Sequence, residues 1–437
     1  MSRFLKASIP LLVVLALLAP PVIFVLLKPD TPLDQSPPTP VTAPLPTVHV
    51  PTLSILGETP DWSELETYQE SITRSQFLDL LNRVFSPSAP WQQHIQVSQT
   101  TATVKTTNAD DAPTFTLRFA PEGSPTPVSR YAKSHHLPPA PDAKPLTGLH
   151  IAIDPGHIGG TWAHVEERWF SFENGSPVRE GDMTLIVAKL LKPQLENLGA
   201  KTTLVRKNSE PVTPLRPESL ESLANESSPA GSPESIRKLA DRLFYRTAEI
   251  RARADLVNHT IKPDLVLCLH FNADSWGDPN QPTLVDRTHF HVLLNGAYTE
   301  DEIRLADQRF AMLKKILGGT HAEELLVADS VATTFARVTK LPAYQYQPSL
   351  PNVTAVNQNP YLWARNLLAN RLYDCPVIFM EPYVMNSKID YPRIQAGDYQ
   401  GTRLINGKLQ PSIFHEYADT LALALKTHYQ KARTTIR

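Results

Sequence analysis

Four polar residues end or follow apolar runs at places where packing alone gives no reason for them. In "IAIDPGHIGG" (151–160) a strand-like run is broken by Asp154, Pro155 and Gly156, which leaves His157 on the turn beyond it. "DLVLCLHFNAD" carries a second β-rich run into His270, and Asn272, two residues further, faces the same way on extended backbone. "CPVIFMEPYVMN" ends a third run on Glu381, immediately before the strand breaker Pro382. In "VREGDMTL" Glu180 stands just ahead of a helical pattern, where a carboxylate also complements the helix dipole. Two imidazoles and two carboxylates at strand ends suit a catalytic metal. Two His and one Glu supply three zinc ligands with an open fourth position, and the other Glu is left to move protons. A structural zinc would use four protein ligands, usually including thiolates. The two cysteines, Cys268 and Cys375, lie inside apolar runs that read as buried strands, so they offer neither a zinc site nor a disulfide framework.

Positioning these groups requires strand ends to converge. From residue 148 onward, apolar strands alternate with amphipathic helices. The strands are "LHIAID", "AKTTLVR", "PDLVLCLHF", "THFHVLLN" and "CPVIFME". The helices are "MTLIVAKLLKPQLENLG", the long "SPESIRKLADRLFYRTAEIRARADLVNHT", "EDEIRLADQRFAMLKKIL", "NPYLWARNLLANRL" and "IFHEYADTLALALKTHY". The pattern predicts an α/β domain over 148–437, a single mostly parallel or mixed sheet flanked by helices on both faces. In such sheets ligands bind beyond the carboxyl ends of the strands, which is where His157, His270 and Glu381 fall.

Upstream, residues 53–125 read as a small α+β module: a helix over "DWSELETYQESITRSQFLDLLNRVF", then the alternating strands "HIQVSQTTATVKT" and "TFTLRFA". Pro-rich linkers occupy 29–52 and 126–147. Residues 1–28 place Arg3 and Lys6 before an almost unbroken apolar run from Ala7 to Leu27, long enough to cross a bilayer as a helix. An uncleaved membrane anchor is favoured over a cleaved signal, because Pro20 follows the best small residue, Ala19; either one exports the rest of the chain. The 437 residues are 41% hydrophobic and carry 42 Lys and Arg against 44 Asp and Glu, a balance that excludes an electrostatic footprint for nucleic acid.

"IAIDPGHIGG", "EGDMTLIVAKLLKPQLENLGAKTTLVRK", "RARADLVNHTIKPDLVLCLHFNAD" and "CPVIFMEPYVMNS" together resemble the zinc-dependent N-acetylmuramoyl-L-alanine amidases of bacterial cell-wall remodelling. The resemblance spans roughly 148–430, with the motifs in the family's order. It implies Zn2+ held by His157, Glu180 and His270, with Glu381 as the catalytic glutamate. It implies cleavage of the amide between the lactyl group of N-acetylmuramic acid and L-Ala in peptidoglycan. With the N-terminal segment in the inner membrane, the catalytic domain would face the periplasm. Glu166, Glu167 and Glu173 also lie between the first two motifs; Glu180 is preferred because the helix begins directly after it. The stretches 208–233 and 278–360 are enlarged, and in this family inserted elements can cover the site until an activator protein displaces them. The competing reading is a catalytically silent peptidoglycan-binding or regulatory protein with 53–125 as its working module. His289 and His291 share one strand face and read as surface residues, and His135 and His136 lie in a linker.

Overall fold

The computed structural model describes residues 51–109, 111–124 and 130–434. The apolar segment 1–28, most of the first linker and four residues of the second lie outside them. Among the described residues no helix is long and apolar enough to cross a membrane. Residues Pro51–Arg437 form one compact unit.

Its centre is a seven-stranded mixed sheet in the order Thr354–Ala355, Leu362–Ala364, Phe290–Leu294, Val377–Pro382, Leu265–Leu269, His150–Pro155, Lys201–Leu204. The last four run parallel, Phe290–Leu294 is antiparallel to Val377–Pro382, and Leu362–Ala364 is parallel to Phe290–Leu294. All five residues of Leu265–Leu269 are buried, as a strand covered on both faces requires. On one face Ile151, Ile153 and Leu267 pack against helices Glu180–Asn197, Thr320–Thr339 and Ile413–Thr434 through Val187, Leu191, Val331, Phe335 and Leu421. On the other, Ala152, Val266, Cys268 and Phe379 meet Ala254 and Val257. These two belong to a long helical run whose α-helical turns Pro233–Arg242 and Glu249–Asp255 alternate with the π-helical turns Leu243–Ala248 and Leu256–Ile261. Such widened turns are frequent near functional sites. Both cysteines are buried and free.

The antiparallel sheet Ile95–Val97, Thr101–Lys105, Thr114–Arg118 buries Phe115 and Leu117 against Phe77, and Leu313 and Ile316 of helix Ala306–Gly318 join the same cluster. Three local expectations are corrected, and one hairpin appears where none was expected. The helix predicted from Asp61 to Phe85 is interrupted at Glu70, whose φ is +58°, and restarts behind a Thr73–Gln76 capping box. Leu362–Ala364, read as helix, is a strand because Phe290–Leu294 offers it a ladder. The "EDEIRLADQRFAMLKKIL" helix breaks at Arg304 and Leu305, and a further helix, Thr320–Thr339, follows it. The hairpin Thr402–Ile405 and Lys408–Pro411 turns on Asn406 and Gly407, both at positive φ.

Candidate metal centre

His157 follows its strand by two residues and sits in the left-handed region at φ +59°, which costs a non-glycine residue about 1–2 kcal/mol. Arg253 holds it there. The buried guanidinium donates to the carbonyls of His157 (2.7 Å) and Pro155 (2.8 Å), and pairs with Asp154 (2.9 Å) and Glu249 (2.7 Å). The Tyr373 hydroxyl in turn donates to Asp154 at 2.5 Å. At Gly156 a Cβ would collide with the His270 ring, so the turn admits that imidazole only because it bears no side chain.

Glu180 is the first residue of helix Glu180–Asn197 rather than the residue before it, and is 2% exposed. One carboxylate oxygen lies 3.1 Å from His157 Nε2, the other 3.1 Å from His270 Nδ1 and 3.1 Å from the Phe271 N–H. One ligand atom from each of His157, Glu180 and His270 can be chosen so that all three lie within 4.8 Å of one another. Glu166 does not replace Glu180. It stands on the far side of His157, 3.5 Å from Nδ1, and accepts the Ile158 and Gly159 N–H groups at 2.8 and 3.3 Å. A carboxylate behind a ligand imidazole fixes its tautomer and orientation.

Charge is distributed to match. Burial opposes ionisation of Glu180, but His157 and His270 hold its carboxyl well below the usual range. Burial likewise opposes a charge on His157, yet Glu180 and Glu166 raise it to about 9, while burial lowers His270. Two imidazoles and one carboxylate are a donor set that could hold a metal ion, and a proton on His157 must leave before its nitrogen can bind a cation.

Glu381, on Val377–Pro382, shares with the trio a cavity of about 500 Å3 over the sheet face. Burial and the neighbouring Glu180 charge push its carboxyl up to about 8, against the pull of Arg168, His157 and Arg365. All four sequence-nominated residues therefore line one cavity. His291, which had read as a surface residue, is buried in its wall opposite Glu381; His289 is buried outside it, and His135 and His136 are exposed, with their rings in contact. Tyr344 and Tyr346 come to the cavity from the 278–360 stretch, whereas none of its described lining residues comes from 208–233. Sequence reasoning missed the part played by Arg253, although its place four residues after Glu249 on a helical pattern was a signal for that ion pair.

No protein-family profile and no curated protein matches the chain. Among solved structures it is similar to the N-acetylmuramyl-L-alanine amidase Ami1 from Mycobacterium smegmatis, at 15% identity and a TM-score of 0.37, over 65% of this chain and 99% of that one. It is also similar to the CwlD amidase from Clostridioides difficile, solved in complex with the GerS lipoprotein, at 11% identity and a TM-score of 0.35, over 66% and 100%. The amidase AmiC2 of Nostoc punctiforme gives 15% identity and a TM-score of 0.33, over 65% and 97%.

Proposed function

We propose that the chain is a zinc-dependent hydrolase that cleaves the amide between N-acetylmuramic acid and L-Ala in peptidoglycan, exported and held at the inner membrane by its N-terminal segment. The observation that carries this reading is the convergence of His157, Glu180 and His270 to within 4.8 Å, with Glu381 free in the same cavity. The four sequence motifs support the choice of bond. A zinc ion on the trio would supply a water of lowered pKa and polarise a carbonyl. Glu180 contributes the negative charge that favours a cation, and Glu166 keeps His157 Nε2 turned toward it. Glu381 is placed to take a proton as the amide is attacked and to return it to the departing amine.

Purified peptidoglycan digested by the full chain, with wild type beside Glu381→Ala and with or without a chelator, tests the reading. Free stem peptides beginning with L-Ala, lost in the variant and on chelation, are the expected result. If no metal condition releases them, the chain is either a gated enzyme that awaits an activator or a binding or regulatory protein.

A further inference from the structure

The charged groups of the metal cavity do not balance. Arg253 is matched by Asp154 and Glu249, and His157 by Glu166 and Glu180. The charged groups left on the wall are Arg168, Arg246, Arg365 and Glu381. Among the described residues none of these three guanidinium groups makes an ion pair. Even an ionised Glu381 leaves two positive charges over, and a divalent cation on the His157, Glu180 and His270 trio would add to the excess. Cations gathered in one cavity without counter-charges repel one another, and an anionic ligand relieves that cost.

The three arginines come from separate elements. Arg168 follows the short helix Trp162–Val165; its N–H donates to the Ala163 carbonyl at 2.9 Å, and its own carbonyl accepts the Glu180 N–H at 3.3 Å. Arg365 follows strand Leu362–Ala364, and its N–H donates to the Leu294 carbonyl at 2.9 Å, which ties it to the sheet. Arg246 belongs to the π-helical turn Leu243–Ala248, with its guanidinium carbon 5.5 Å from the centre of the Tyr245 ring. Arg168 and Arg365 are half-buried and Arg246 is exposed. Tyr245 lines the same cavity, and its buried hydroxyl has no hydrogen-bond partner among the described residues. Guanidinium groups on fixed backbone, without carboxylates of their own, suit planar, bidentate recognition of a carboxylate.

We propose that Arg168, Arg246 and Arg365 form an anion-binding rim that selects stem peptides with free carboxylates over the same peptides with those carboxyls amidated. The proposal rests on reading the cavity as a centre that cuts the muramyl amide. The rim also orients the substrate. N-acetylmuramic acid has one carboxyl group, on its lactyl arm, and that group is already taken up in the amide to be cut. Every remaining carboxylate of a muramyl peptide lies on the peptide side, so the rim receives the peptide rather than the sugar.

The test has a kinetic arm and a binding arm. Two muramyl peptides of one sequence, with the peptide carboxyls free or converted to primary amides, are hydrolysed by the full chain. Wild type is expected to prefer the free acid by about 10- to 100-fold in kcat/KM, mostly through KM, and the preference should shrink as salt is raised. Arg168→Gln, Arg246→Gln and Arg365→Gln should each reduce that preference by at least about threefold. The preference is a ratio taken on one sample, so a partial loss of folded protein cancels. Equal rates on the two substrates in wild type, or arginine variants that keep the wild-type ratio, would overturn the proposal. Calorimetry of the full chain with the released peptide, as free acid and as amide, needs no turnover. A wild-type chain that leaves the muramyl-L-Ala bond intact under every metal condition counts against the hydrolytic reading, and the binding arm then decides on the rim. Tighter binding of the free acid, lost in the arginine variants, supports it, and equal binding of acid and amide overturns it.

Discussion

The two walls of the cavity hold their polar groups by different means. On one, His157, Glu180 and His270 come from the ends of parallel strands and a helix start, and each is tied to a neighbour: Glu166 behind His157 and Arg253 beneath its turn, the Phe271 N–H on Glu180, the Phe379 ring stacked on His270. On the other, Glu381 and His291 face each other across an antiparallel pair, and both are driven toward their uncharged forms. The first wall concentrates negative charge where donor atoms converge, as a cation requires. The second keeps groups that exchange or donate hydrogens, as the steps around an amide require.

Substitutions should separate the two walls. Glu180→Ala removes a ligand and is expected to abolish both metal content, read by elemental analysis, and activity. A variant that retained stoichiometric metal would move the ion elsewhere. Glu381→Gln should lower kcat by about 10²- to 10⁴-fold while metal content stays at the wild-type level. Loss of metal in that variant would erase the distinction between the walls. Arg253→Met leaves Asp154 and Glu249 without their buried partner. It should cost about 3–5 kcal/mol in denaturant unfolding. Glu166→Gln should weaken metal binding by about 10- to 100-fold in a chelator competition, with the fold intact.

The smallest effect concerns a histidine outside both walls. Burial lowers His321 to about 4, so between pH 6.5 and 4 the unfolded chain takes up a proton that the folded chain refuses. Stability from this residue is complete above pH 6.5 and is lost as pH falls through that window. His321→Phe should make stability less pH-dependent there, by up to about 1.4 kcal/mol per pH unit.

The first wall was legible in the sequence because each of its groups interrupts a short apolar run, or opens a helix, in a local pattern. His157 and His270 could be nominated from ten residues of context each, and so could Glu381 on the second wall. The rest of the second wall could not. Whether Phe290–Leu294 runs parallel or antiparallel to Val377–Pro382 is a tertiary fact, and only the antiparallel choice brings His291 beside Glu381. Tyr346 and Arg365 reach the same place from 55 and 74 residues downstream of His291, beyond any periodicity argument. Leu362–Ala364 is too short to show whether its period is 2 or 3.6. The Asn406–Gly407 hairpin, by contrast, carried a readable turn signal.

Hydrolysis of a defined N-acetylmuramyl peptide in H2(18)O, with both products analysed by mass spectrometry, would identify the bond that the zinc-loaded chain cuts. Cleavage at the muramyl amide places the heavy oxygen on the lactyl carboxylate and leaves an intact peptide with an unlabelled L-Ala amine, which is the expected result. Label on a carboxylate within the stem peptide would make the chain a peptidase and contradict the assignment.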